Sequence, residues 1–219
     1  MKLVIGNKNY STWSLRPWLL LKHAGIPFDE EVISFNAPDF AAQVRRYSPS
    51  GKVPVLLDGD LAIWDSLAIV EYVAERFPQM QLWPADVKAR AVARALCAEM
   101  HAGFAELRST LTMNFSARFS GGLWKVGVQK EIARIIAAWD DARARFGAGG
   151  AFLFGSFSVA DAYFAPVTQR FLAYEVKLPE GARRYVETIQ GLPAMKAWAE
   201  AARCEHDFVP RDEPYRAGP

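Results

Sequence analysis

Ser50-Gly51-Lys52-Val53-Pro54-Val55-Leu56-Leu57-Asp58-Gly59-Asp60-Leu61-Ala62-Ile63-Trp64-Asp65-Ser66 organises the first third of this 219-residue chain. Val53 to Leu57 and Leu61 to Trp64 are short apolar runs joined around Asp58-Gly59. That pattern is a hairpin signal, because a tight turn between strands requires positive φ and glycine supplies it at little cost. From Ser66 the period changes: Leu67, Ile69, Val70, Val73 and Phe77 fall on one face of a helix.

Upstream, Leu3-Val4-Ile5 reads as a short buried strand ended by Gly6-Asn7. Ser14 can cap a helix that tolerates Pro17 in its first turn and carries Leu19, Leu20 and Leu21; Gly25 supplies the left-handed stop. Phe28 to Phe35 is a second strand with Val32 and Ile33 at its apolar centre, and Pro38 to Tyr47 is a weak helix before the Ser48-Pro49-Ser50-Gly51 turn. The order β-α-β-α-β-β-α predicts a small mixed sheet with helices on its faces, the topology of a thioredoxin-like domain.

Downstream, Pro78 to Pro84 reads as a connection, and strand signals nearly vanish beyond it. Residues 1–80 are expected to form the α/β domain and 86–219 an all-α domain, with 81–85 as linker. One helical pattern is expected from Asp86 to about Phe119, broken at Gly121-Gly122, and another from Val126 to Phe146. After the Gly147 to Gly150 loop, Ser158-Val159-Ala160-Asp161 has the form of a capping box. Helices near Arg183 to Gln190 and Pro193 to Arg203 follow, and Arg211 to Pro219 is expected to be a loose polar tail.

Composition narrows the function classes. A hydrophobic fraction of 51% with 23% charged residues is globular, and a net charge of +2 with no basic stripe argues against a nucleic-acid partner. No apolar run approaches the roughly 20 residues of a membrane span. Cys97 and Cys204 form no CxxC pair, and His23, His101 and His206 have no metal-site spacing, so reduced thiols and no metal are expected. Met1 to Ile5 carries no secretory signal, which makes the cytoplasm the expected compartment. GxGxxG, GK[ST], GxSxG and SxxK patterns do not occur, and no cysteine lies between Tyr10 and Arg16 for a mixed-disulfide mechanism.

Taken together, a small α/β domain joined to a helical one resembles the cytosolic glutathione transferases over nearly the whole chain. Ser11-Thr12-Trp13-Ser14-Leu15-Arg16 is similar to the serine motif of the serine-type classes, nearest the zeta (maleylacetoacetate isomerase-like) class. Ser50 to Leu56 resembles that family's cis-proline loop, Asp65-Ser66 its γ-glutamyl-binding turn, and Ser158 to Asp161 its folding motif. The resemblance implies glutathione as co-substrate, a small apolar electrophile, a homodimer and a detoxification role. A glutathione-dependent isomerase and a non-catalytic binding or scaffold protein are the alternatives. Trp13 stands where the zeta motif has a cysteine, which argues against the specific isomerase.

Each motif has a chemical rationale and a plainer one. Ser11 could donate to the glutathione sulfur, favouring thiolate at neutral pH, with the following helix N-terminus acting in the same direction. Tyr10, Thr12 and Ser14 offer the same chemistry, or Thr12 and Ser14 merely cap the helix. A cis Val53-Pro54 turn would present the Val53 amide and carbonyl to the cysteinyl backbone of glutathione, as an added strand does. Asp65 suits the γ-glutamyl ammonium and Ser66, at a helix start, its carboxylate; ordinary N-capping is the plainer role. Lys52 could meet a glutathione carboxylate or stay solvated. Arg16 lends positive field or joins a structural ion pair. For the electrophile pocket the candidates are Trp13, Phe104, Arg108 and Phe115, within a stripe (Met100, Phe104, Arg108, Leu111, Phe115, Phe119) that serves equally well as core.

Overall fold

The computed structural model describes residues 1–119 and 124–216. Its four strands are β1 (Lys2–Ile5), β2 (Asp29–Val32), β3 (Val55–Asp58) and β4 (Leu61–Trp64), in the sheet order β2-β1-β3-β4. β1 pairs in parallel with β2 and antiparallel with β3, and β3 pairs antiparallel with β4. The two-residue loop closing β3 onto β4 places Gly59 at φ 62°, the conformation the hairpin signal requires.

β1 shows why Leu3-Val4-Ile5 is an unbroken apolar run. Side chains alternate across a sheet, so Leu3 and Ile5 join the main core while Val4 packs on the opposite face with Ile33, Val44 and Val55. Both faces of this central strand are covered, which removes any polar alternation. β2 is an edge strand, and Val32 is 45% exposed rather than at an apolar centre; Ile33, one residue on, is buried.

The helices are α1 (Thr12–His23), α2 (Phe40–Arg45), α3 (Ser66–Arg76), α4 (Val87–Ala102), α5 (Ala105–Thr110), α6 (Val126–Phe146), α7 (Val159–Ala173), α8 (Glu180–Gly191) and α9 (Pro193–Arg203). α1 is capped three residues earlier than expected, at Ser11 rather than Ser14. Ser14 lies inside the helix, fully buried, and Pro17 sits in the second turn, where it lacks the N–H that would reach the Trp13 carbonyl. Gly25 does take the left-handed conformation after the helix.

The expected helix from Asp86 to Phe119 is two shorter ones. Gly103 and Phe104 (φ 60°) end α4, and Arg108 from the next helix turns back to donate Nη2 to the carbonyls of Met100, His101 and Gly103. A cation on the last carbonyls stabilises a helix C-terminus, so the break comes with its own cap. The Gly121-Gly122 break lies outside the described residues. Beyond Thr110 the chain runs to the β1–α1 loop, where Asn9 Oδ1 accepts from the Phe115 and Ser116 amides.

α7 is buried along nearly its whole length and packs against both α1 and α4. The capping box at its start is present. Asp161 is wholly buried and accepts from the Ser158 and Leu153 amides, the Ser158 hydroxyl and the Tyr185 hydroxyl. As far as Arg216 the tail is not loose, and 217–219 lie outside the described residues: Pro210–Asp212 is a 3-10 turn, and Glu213 is 1% exposed, accepting from Tyr10 Oη and Asn114 Nδ2 at 2.8 Å each.

Candidate functional site

Two adjoining cavities lie where the α/β half meets the helical half. The first, about 480 Å³, is lined by Lys52, Val53, Pro54, Asp65 and Ser66, with Trp13 and His101 beside them. Val53-Pro54 is a cis peptide, and Val53 stands two residues before β3, outside the ladder. Asp65 takes φ 73°, which is unusual for a residue with a side chain. That geometry lets Oδ1 accept the Leu67 amide at 2.8 Å as the cap of α3, while Oδ2 lies 3.3 Å from His101 Nε2. Ser66 opens α3, where the first amides lack intrahelical partners; its hydroxyl is 3.0 Å from Tyr163 Oη on α7, which is 3.4 Å from His101 Nδ1.

The second cavity, about 400 Å³, shares Trp13, Lys52 and Val53 with the first. Ser11 lines it as the N-cap residue of α1; its own side chain makes no cap bond and instead donates to Ser14 Oγ at 2.7 Å. Ser14 Oγ also accepts the Gly6 amide, so this hydroxyl fixes the loop rather than capping the helix. Tyr10 commits its hydroxyl to Glu213 and the Asp207 carbonyl, and burial, reinforced by Glu213, pushes it up to about 12. Thr12 Oγ1 accepts from Arg170 Nη2 at 2.8 Å. Of the four neighbouring hydroxyls, Ser11 is the one tied only to another hydroxyl, a partner that can itself turn donor.

Trp13 lies between two guanidinium groups, Arg16 at 4.3 Å and Arg108 at 4.9 Å from its ring centroid, with the His101 ring edge-on at 5.2 Å. Arg16 is fully buried between the Trp13 and Tyr163 rings, and none of its three nitrogens has a hydrogen-bond partner. The structural ion pair weighed for it is absent among the described residues. Burial pulls it down to about 10, with Tyr163 opposing and Arg108 adding to the shift. Phe104 and Phe115 lie in the hydrophobic core and line neither cavity, so the aromatic stripe serves packing at those positions.

A family model described as "Glutathione S-transferase, N-terminal domain" matches residues 10–76, and one described as "Glutathione S-transferase, C-terminal domain" matches residues 89–201. The chain belongs to the glutathione S-transferase family. Among curated relatives, Glutathione S-transferase 1 of Dianthus caryophyllus is 36% identical over 93 residues, 42% of this chain and 41% of the relative. A zeta-class glutathione S-transferase of Euphorbia esula is 27% identical over 130 residues, 58% of each chain. Dichloromethane dehalogenase of Methylorubrum extorquens is 40% identical over 60 residues, 26% of this chain and 21% of the relative. The chain thus spans roughly a fifth to three fifths of these relatives. A Burkholderia glutathione transferase homologue with bound glutathione superposes with a TM-score of 0.71 at 23% identity, covering 93% of this chain and 98% of that one. Maleyl pyruvate isomerase, a bacterial zeta-class member, superposes at 0.68 and 23% identity, covering 95% and 100%. Both share the fold.

Within this transferase fold, the cavity walls also contain residues that sequence reasoning passed over. His101 reads as a scattered histidine until α4 places it opposite Asp65. Arg170 is a helix-interior residue whose pattern gives no sign of the cavity, and Arg211 and Asp212 belong to the segment expected to be loose. The sequence signal was weak: a single charged residue, Arg170, in the stretch Phe164 to Ala173.

Proposed function

We propose that the chain is an enzyme that binds glutathione in the first cavity, ionises its thiol beside Ser11 and adds the sulfur to a small electrophile in the second. What carries this reading is the convergence of the cis Val53-Pro54 turn, the Asp65-Ser66 turn and Ser11 on two cavities that share Trp13, Lys52 and Val53. Asp65 holds the γ-glutamyl ammonium, and the amide of Ser66 with the α3 N-terminus holds its carboxylate. Val53 pairs with the cysteinyl backbone and Lys52 meets a terminal carboxylate.

A free thiol titrates near ~8.5, so lowering it by about two units takes about 2.7 kcal/mol. Ser14 turning to donate to Ser11 frees the Ser11 hydrogen for the sulfur, and a charge-assisted bond of this kind is about twice as strong as a neutral one. The α1 N-terminus and the Arg16–Trp13–Arg108 stack add positive field on the same side. Serine acts as donor; the nucleophile is the glutathione sulfur. A cytoplasmic homodimer completes the proposal, and light scattering of the purified chain checks its mass.

The test is ultraviolet difference titration of bound glutathione in the wild type and in Ser11→Ala. The expected result is a thiol pKa well below that of free glutathione, moving up by about one to two units in the variant. Saturable binding with an unshifted thiol would leave a binding protein, and no binding at all would remove the glutathione reading.

A further inference from the structure

Ser11 is an N-cap serine without the usual N-cap bond. In that position a hydroxyl oxygen ordinarily accepts the backbone amide two or three residues on. Here the Ser11 side chain accepts neither, and its hydroxyl donates to Ser14 Oγ at 2.7 Å. Ser14 is the third residue of α1 and is 0% exposed. Its oxygen also accepts the amide of Gly6 at 3.2 Å, from the residue that follows β1. Gly6 is closely packed, since a Cβ there would fall 2.4 Å from the Phe35 ring, so this amide has little room to move.

A hydroxyl carries one hydrogen and two lone pairs. Gly6 and Ser11 both donate to Ser14, and among the hydrogen bonds of the described residues Ser14 donates none. One buried hydrogen is therefore unused, next to a serine that lines the second cavity. A thiolate beside Ser11 changes that count. When Ser11 turns its hydrogen to the sulfur, its oxygen becomes an acceptor and Ser14 can donate to it. The Gly6 N–H, the Ser14 O–H and the Ser11 O–H then run head to tail toward the sulfur. Three bonds replace two. Bonds in such a chain polarise one another, and more so away from water. A neutral thiol is a weaker acceptor than a thiolate, so the reversal favours the ionised form.

We propose that Ser14 is a positioning residue for thiol activation, reversing its bond with Ser11 as the thiolate forms and making Ser11 the stronger donor. It touches no reacting atom and acts through Ser11 alone. This rests on the reading of Ser11 as the donor to glutathione and assigns the direction of that donation to a second residue. The plainer role, fastening the β1–α1 loop by accepting from Gly6, gives a different result in the same experiment.

A double-mutant cycle on the full chain separates the two. Bound glutathione is titrated by ultraviolet difference absorbance in the wild type, Ser14→Ala, Ser11→Ala and the double variant. Each spectrum is taken against the same protein without glutathione, which cancels the protein's own thiols. Affinity for S-methylglutathione, whose sulfur has no proton to lose, is measured alongside by calorimetry. Ser14→Ala should raise the bound thiol pKa by about half a unit to one unit, a roughly three- to tenfold smaller ratio of thiolate to thiol. Its affinity for S-methylglutathione should stay within about twofold of wild type, since the first cavity is untouched. In the Ser11→Ala background the same substitution should move the thiol by less than about 0.3 units, because the route to the sulfur is gone. Ser14→Cys keeps a weak donor of similar size and should fall between; it carries the cycle if Ser14→Ala does not fold. A thiol pKa unmoved or lowered by the Ser14 variants overturns the assignment. So does an equal rise in both backgrounds, or a parallel loss of S-methylglutathione affinity, either of which marks a loosened loop. A thiol pKa that Ser11→Ala leaves unchanged overturns instead the serine reading on which the proposal rests.

Discussion

Two regions bury charge in opposite ways. Asp161, at the start of α7, is wholly enclosed, and four donors from Leu153, Ser158 and Tyr185 meet its carboxylate. Arg16, one helix away on α1, is as deeply enclosed and has no hydrogen bond. A buried ion that is fully satisfied holds a local structure together; one left unsatisfied raises the energy of the fold and persists where something else uses it. The first lies in the packed interior of the helical half, the second under the floor of the cleft.

The largest effect expected from this contrast is on Asp161→Ala. It orphans two buried amides and the Tyr185 hydroxyl, so stability should fall by about 3–5 kcal/mol. Chemical denaturation measures it; a loss under about 1 kcal/mol would break the comparison on the structural side. Arg16→Met should do the reverse. Replacing an unpartnered buried cation by a hydrophobe of similar length should leave stability unchanged or raise it by about 1–2 kcal/mol, while the bound thiol pKa rises. A strongly destabilised Arg16→Met with an unshifted thiol would make Arg16 an ordinary core residue.

Smaller in stability effect is Asp65→Ala. Its carboxylate is partly exposed, so the fold should tolerate the change, while glutathione affinity falls about tenfold or more with kcat less affected. Calorimetry with glutathione decides; equal affinities would leave Asp65 as a cap of α3 and nothing more. The smallest effect is a pH dependence. Burial raises Asp161 from 3.8 to about 6 despite its donors, so the folded state holds this proton more tightly than the unfolded chain. Stability from this group is therefore fully present below about 4 and declines as pH rises through about 6. The melting temperature of wild type minus that of Asp161→Asn should fall across that window, and a difference that rose instead would reverse the sign.

The same contrast explains what could be read before any coordinates. The first cavity is built mostly from neighbours in the chain, Lys52-Val53-Pro54 and Asp65-Ser66, either side of one hairpin, so period and turn chemistry expose it. The second draws on Ser11, Arg108, Arg170 and Arg211, four separate elements whose meeting depends on tertiary packing. α6 and α9 were legible because their apolar periods run unbroken and a local signal marks one end of each, Gly147 after α6 and Pro193 opening α9. The break after Ala102 was not, because it depends on Arg108 reaching back to carbonyls, a contact that leaves no mark on hydrophobic periodicity. Nor was the ordered tail, since Glu213 is a polar residue buried by specific partners at Tyr10 and Asn114.

The segment from Glu205 to Glu213 ties the helical half back to the β1–α1 loop. Glu205 accepts the Lys8 and Asn9 amides, Asp207 accepts from Asn7 and Ser34, and Glu213 accepts from Tyr10. The loop that presents Ser11 is thus fastened by a segment 197 residues further along the chain. A chain in which residues 205–213 have not docked therefore carries Ser11 without its setting, however well the α/β half has folded.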